Sequence, residues 1–388
     1  MSIVPNNFKN NFTCPHFADV IIPLFPFYCH IRIFSNSFIS INLLLLLLLL
    51  PQRNSVLLYT ERCSHLLHSF ILYLSSSTLI STADDLDDLS LFHRAVVSSS
   101  TNNNRRLISL SPNPPPKIAF LFLTNSDLTF LPLWESFFQG HQDLYNVYIH
   151  ADPTSSVSPL LDSSSINAKF IPARRTARAS PTLISAERRL LANAILDDPN
   201  NLYFALISQH CIPLHSFSYI HNHLFSDHHQ QSFIEILSDE PFLLKRYNAR
   251  GDDAMLPEIQ YQDFRVGSQF FVLAKRHALM VIKERKLWRK FKLPCLDVES
   301  CYPEEHYFPT LLSLEDPQGC SHFTLTRVNW TGSVGGHPHT YDASEISPQL
   351  IHSLRRSNSS LDYFFARKFT PESLQPLMEI ADAVIFRD

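Results

Sequence analysis

The run Ile118-Ala119-Phe120-Leu121-Phe122-Leu123-Thr124 is apolar without a break and of strand length. Only a strand covered on both faces hides such a run. The pattern returns at 147–150, 203–208 and 233–237. Between the second and third runs, Ser180-Pro181 offers a helix cap and a first-turn proline. Leu183, Ile184, Leu190, Leu191, Ala194 and Ile195 then share one helical face. Strands alternating with helices imply an α/β domain with a largely parallel sheet. Ligands of such sheets settle beyond the carboxyl ends of the strands. Those ends carry Thr124-Asn125, His150-Ala151-Asp152 and Ser208-Gln209-His210-Cys211, which are able to hold a base, a ribose or a sugar and equally able to be plain loop residues. His150 and Asp152 do not make a metal site, because no third and fourth ligand stands at a definable spacing.

Composition narrows the function. With 388 residues, 45% of them hydrophobic and 30 of them Phe, the chain can bury a substantial core. Its net charge of -4 comes without a long basic run, so nothing points to nucleic acid. The 7 glycines, the first at Gly140, cannot spell a GxGxxG or GxxxxGK phosphate loop, which excludes nucleotide binding of those two kinds.

The N-terminal third differs. Residues 33–50 are uncharged and end in eight leucines, Leu43 to Leu50, closed by Pro51. That is about the length needed to cross a bilayer, so 33–51 reads as a signal anchor behind a cytoplasmic tail, 1–32. A cleaved signal peptide is the alternative, disfavoured by the long lead. Lys9 and Arg32 before it and Arg53 and Arg62 after it leave the orientation open. The Ser-, Asn- and Asp-rich stretch that ends in Pro112-Asn113-Pro114-Pro115-Pro116 reads as part of a stem or linker, 52–116. The folded domain is expected to span 117–388.

Chemistry concentrates in Cys301-Tyr302-Pro303-Glu304-Glu305-His306-Tyr307-Phe308-Pro309-Thr310. Two carboxylates beside an imidazole suit a general base, since neighbouring carboxylates raise one another's proton affinity. An acidic helix start is the plainer reading.

Eight blocks in order carry a resemblance. They are Lys117 to Thr124; Tyr148-Ile149-His150-Ala151-Asp152-Pro153; Ala186-Glu187-Arg188-Arg189-Leu190-Leu191-Ala192-Asn193-Ala194; and Cys211-Ile212-Pro213-Leu214. Then come Gly267-Ser268-Gln269-Phe270-Phe271-Val272-Leu273; Pro303 to Thr310; Val328-Asn329-Trp330-Thr331 with Gly336-His337-Pro338; and Phe365-Ala366-Arg367-Lys368-Phe369. Together they resemble the plant core-2/I-branching β-1,6-N-acetylglucosaminyltransferase-like proteins, related to glycosyltransferase family 14.

The resemblance implies a type II Golgi membrane enzyme with a GT-A-like fold and a lumenal catalytic domain. It implies inverting transfer of N-acetylglucosamine or glucuronic acid from a UDP-sugar to a glycan hydroxyl, with no metal and no cofactor beyond the donor. Glu305 matches the family's catalytic base, and Glu304 stands where animal relatives carry aspartate. Lys368 matches a cation on the donor diphosphate, with Arg367 adjacent and Arg355 or Arg356 as further candidates. Residues 117–388 hold no Asp-x-Asp, so Arg and Lys would stabilise the leaving diphosphate. Trp330 and Tyr307 are candidates for stacking on sugar faces. Thr124, His150, Asp152 and Ser208 are expected to line the nucleotide and sugar pocket.

In an oxidising lumen, the cysteines Cys211, Cys295, Cys301 and Cys320 should form at least one disulfide, involving Cys301 and tethering the Glu305 loop. Asn329 and Asn358 head candidate glycosylation sequons. A hydrolase is disfavoured, since adjacent Glu304 and Glu305 cannot readily flank one bond. A catalytically silent anchored scaffold is the other alternative.

Overall fold

The computed structural model describes residues 18–24, 27–33, 80–106, 114–155, 166–226, 230–333 and 336–388. The chain divides into two units, 1–66 and 67–388. In the first, β1 (Ala18–Leu24) pairs antiparallel with β2 (Phe27–Ile33), from Ala18 opposite Ile33 to Leu24 opposite Phe27. The stretch read as an anchor lies, apart from Ile33, outside the described residues. Among the described residues no helix is long and apolar enough to cross a membrane.

The first described element of the second unit is helix α1 (Thr82–Arg106), inside the segment read as stem. That reading is corrected here. Helix α1 carries Leu91, Phe92 and Ala95 into the core, and Asp88 makes a buried ion pair with Arg189. Serine and asparagine dominate the composition of the segment, but apolar residues spaced three and four apart gather on one helical face.

The apolar runs become the sheet. Strands β3 (Lys117–Thr124), β4 (Tyr145–Ala151), β5 (Ala168–Phe170), β6 (Asn201–Ser208) and β8 (Val272–Ala274) lie in the order β5-β4-β3-β6-β8. All neighbours are parallel except β6 and β8. The expected α/β architecture with a mostly parallel sheet is therefore present. Helix α2 (Leu131–Phe138) sets Trp134 against Phe120 and Phe122, with ring centroids 5.9 and 5.3 Å away. Helix α3 (Pro181–Asp197) packs across β3, β4 and β6 and against α1. Its start follows the cap, with Ser180 Oγ accepting from the Thr182 N–H and Pro181 in the first turn.

The run 233–237 does not become a strand. Phe233 bridges Val272 and Leu237 bridges Val266, but between them Glu235 turns its carboxylate to the Ser268 N–H, 2.9 Å away. A second sheet, β7 (Ile212–Pro213), β10 (Phe365–Arg367) and β9 (Thr326–Val328), runs in the order β7-β10-β9. It carries Arg367 and Lys368 in from the C-terminal part of the chain.

Candidate active site

The acidic stretch is held by local geometry. A disulfide joins Cys295 and Cys301, as expected of Cys301, while Cys211 and Cys320 are free and buried. The next residue, Tyr302, sits in the left-handed region at φ 35° and ψ 60°. A bulky residue there costs on the order of 1–2 kcal/mol, so the surrounding packing must hold it. One 3-10 turn, Pro303–Glu305, follows, and then helix Tyr307–Glu315. The Gly267 N–H donates to the Glu305 carbonyl at 2.9 Å. A Cβ on Gly267 would stand 2.0 Å from the Glu235 carbonyl oxygen, so no other residue fits this clamp.

The turn sends the two carboxylates apart. Glu304 goes inward, 4% exposed, where Oε1 accepts from the Ala179 N–H at 3.1 Å and Oε2 has no hydrogen-bond partner. Glu305 turns to Arg246, whose Nη1 donates to Oε2 at 2.7 Å. Its side chain keeps 28% of its surface exposed. Of the two, Glu305 is the carboxylate a substrate can reach.

Burial pushes Glu304 up to about 7, the charge of Glu305 adding to it while the Ala179 N–H and the Arg178 guanidinium oppose it. Beneath it Glu187, fully enclosed and taking 2.6 Å from Gln269 Nε2, is also pushed well up by burial. Burial likewise holds His306 down at about 3, with Nδ1 on the Arg265 carbonyl at 2.8 Å and the ring stacked on Phe264. A carboxyl with a raised value keeps its proton in the folded chain after the unfolded chain has lost it. Its contribution to stability is complete below the ordinary value of 4.5 and is lost as pH rises through about 7. Glu304→Gln imitates the protonated form and lacks this dependence. Its stability relative to the parent chain should therefore improve as pH climbs across that window. Urea unfolding at several pH values tests this, and parallel curves would contradict a buried, protonated Glu304.

Opposite Glu305 the structure gathers cations. Arg367 lies with its guanidinium 4.4 Å from the Phe270 ring, and its Nε is enclosed without a partner. Burial lowers its pKa; Glu305 opposes and Arg178 adds to the lowering. Lys368 is lowered by burial first, then by Arg367 and Arg178. Arg178 is anchored by His337 Nε2 at 2.8 Å and donates to the Gly336 carbonyl at 3.1 Å. The Tyr302 ring lies under two guanidiniums, Arg178 at 5.6 Å and Arg246 at 5.4 Å. Arg367 and Lys368, each lowered in part by a neighbouring guanidinium, lie with Arg178 in a cluster whose repulsion an anion would relieve.

The other expected residues divide. Thr124 Oγ1 bonds to the Ser126 carbonyl, and Ser208 closes a tight turn with Cys211. Buried His150, held down at about 4 by burial and by the nearby Arg189 charge, accepts from the Arg174 N–H at 3.2 Å. Against the cost of burial, bonds from Thr154 and Thr176 bring Asp152 down to about 2. Thr124, Asp152 and Ser208 spend their polar groups on neighbouring loops, whereas His150 lines a cavity of about 410 Å³ together with Arg174, Thr176 and Arg189. Trp330 is 55% exposed, whereas Tyr307 is buried in the core, which removes it from sugar stacking.

Arg355 does not join the cations, because its guanidinium donates to the carbonyls of Leu214, Val384 and Ile385. Arg356 is exposed at the end of the helix Pro348–Arg355. Among the described residues no cluster of His, Cys, Asp and Glu is placed to hold a metal. Asp85 and Asp87 have Asp-x-Asp spacing, but α1 commits them to Lys292 and Arg174.

Sequence reading missed Arg178 and Arg246. Arg178 stands two residues before the Ser180 cap, where a loop enters a helix, and that position was legible. Arg246, on a short helix remote in sequence, gave no signal.

Residues 118–355 match the model of the Core-2/I-Branching enzyme family. The match includes Glu304, Glu305, Arg178 and Arg246 and ends before Arg367. Glycosyltransferase BC10 of Oryza sativa subsp. japonica is 26% identical over 328 residues, covering 71% of this chain and 80% of that protein.

Proposed function

The chain belongs to the Core-2/I-branching enzyme family and is a glycosyltransferase, and from that premise we propose that it transfers a sugar from a UDP-sugar to a glycan hydroxyl with inversion. The observation that carries this reading is the convergence of Glu305 with Arg178, Arg367 and Lys368 in one site. Glu305 takes the acceptor proton, and the cations meet the charge that grows on the departing diphosphate. No metal is required in this scheme, and N-acetylglucosamine or glucuronic acid is the transferred sugar. Glu304 lies buried beneath Glu305 rather than across an opening from it, which speaks against a hydrolase that needs two facing carboxylates.

Lys368→Ala tests the cation site. A hydrogen bond to a charged group contributes roughly 1.5–3 kcal/mol, so UDP affinity should fall about tenfold or more with little loss of thermal stability. Transfer should survive a chelator. Complete loss with chelator, restored by manganese, would overturn the metal-free scheme.

We place the catalytic unit in the Golgi lumen behind a single type II anchor. Of the two sequons, Asn358 is exposed, while Asn329 donates from its amide to the Tyr341 hydroxyl at 3.1 Å and its Oδ1 accepts from the Thr331 N–H. Endoglycosidase treatment of the expressed chain should shift its mobility, and Asn358→Gln should abolish that shift where Asn329→Gln does not. Digestion of the C-terminal unit by protease added outside intact vesicles would refute the topology.

A further inference from the structure

Tyr302 is strained, and burial does not offset the strain. At φ 35° and ψ 60° it occupies the left-handed region, which glycine and asparagine enter more easily, and its side chain is only half-buried. The backbone around it is fixed on both sides. Before it stands the Cys295–Cys301 disulfide, and after it come Pro303 and the Glu305 N–H, which donates to the Tyr302 carbonyl at 3.0 Å. A bulky side chain kept in such a conformation, three residues before the proposed base, points to a task of its own.

That task is visible in what the ring touches. The Arg178 guanidinium lies 5.6 Å and the Arg246 guanidinium 5.4 Å from its centroid. Arg246 holds Glu305 at 2.7 Å. Arg178 arrives on the loop before α3, and its charge adds to the lowering of Arg367 and Lys368 that burial begins. Among the described residues two of its five N–H groups are engaged, by His337 Nε2 at 2.8 Å and by the Gly336 carbonyl at 3.1 Å, and its side chain is exposed. Ring and cation also meet at this glycine, since a Cβ on Gly336 would stand 3.5 Å from Arg178 Nη2 and 3.7 Å from the Tyr302 hydroxyl oxygen.

An exposed arginine samples many rotamers, and an anion that binds it must first freeze them. An aromatic face together with two acceptors removes that freedom beforehand and leaves the remaining N–H groups for a ligand. Resting on the donor reading above, we propose that Tyr302 is a positioning residue: its ring, itself held by the Arg246 that grips Glu305, sets the Arg178 guanidinium for the donor diphosphate.

UDP titration of the full chain by calorimetry tests this. Tyr302→Gly suits the left-handed backbone, so that variant should melt close to the parent, yet its UDP affinity should fall about fivefold or more. Tyr302→Phe keeps the ring face and should bind UDP within about twofold of the parent. Arg178→Gln should weaken UDP about tenfold in the parent chain but less than about threefold in the Tyr302→Gly background, because a guanidinium no longer held in place contributes little. Unchanged UDP affinity in Tyr302→Gly, a Tyr302→Phe chain as weak as Tyr302→Gly, or losses that simply multiply across the two positions would overturn the proposal. The weakening expected of Lys368→Ala would in that case still uphold the donor reading. No UDP binding by the parent chain would overturn both.

Discussion

Turnover should fall roughly a hundredfold or more in Glu305→Gln, the usual scale for removing a general base. The substitution keeps the size of the side chain and an oxygen for Arg246, so the ion pair becomes a hydrogen bond from the charged guanidinium to an amide oxygen and the turn persists. What it removes is the acceptor for the proton of the attacking hydroxyl. Donor binding should survive, since Arg178, Arg367 and Lys368 belong to other segments. Steady-state kinetics should therefore place the loss in kcat, with the donor KM close to the parent value. Glu304→Gln should be much milder, because a buried carboxyl already holding its proton resembles an amide. If Glu304→Gln were the inactive variant and Glu305→Gln active, the roles would be exchanged. If both kept full turnover, the site would be elsewhere.

What was legible beforehand follows from how far each signal reaches along the chain. Strands β3, β4 and β6 are continuous apolar runs covered on both faces, and their period alone places them. The start of α3 was legible because Ser180 and Pro181 act on their immediate neighbours. The run 233–237 misled, since its apolar side chains serve the core while its backbone finds partners only at the two ends. Arg355 misled in another way. A cation near the expected block was assigned to an anion, but carbonyls at Leu214, Val384 and Ile385 claim it. Local pattern cannot rank such partners, because they lie up to 141 residues away. The division of labour between Glu304 and Glu305 was equally hidden. It depends on Ala179 on one side and Arg246 on the other, and both contacts exist only in the folded chain.

The second large effect concerns α1. A chain beginning at Lys117 should fail to fold stably, whereas one beginning at Ile80 should behave as a cooperatively unfolding unit. Deleting α1 uncovers the surfaces against which Leu91 and Phe92 pack, at about 1.5–3 kcal/mol for each buried side chain. It also takes Asp88 from Arg189, whose remaining contacts are to the Pro172 carbonyl. A buried charge stripped of its partner costs roughly 3–5 kcal/mol. Arg188 suffers as well, since its guanidinium is stacked 4.8 Å from Phe92 and 5.0 Å from Trp288. Summed, the loss is about 6–11 kcal/mol, comparable with the whole stability of a typical domain. Arg188 and Arg189 are on α3, whose N-terminal approach supplies the Ala179 N–H to Glu304, so damage there reaches the acid pair. Thermal unfolding and size-exclusion chromatography of the two chains decide the matter. Equal melting temperatures would show that α1 is dispensable. Asp88→Ala alone in the longer chain should lose about 3 kcal/mol or more of stability, and a negligible change there would mean that the Arg189 pair is not what holds the helix.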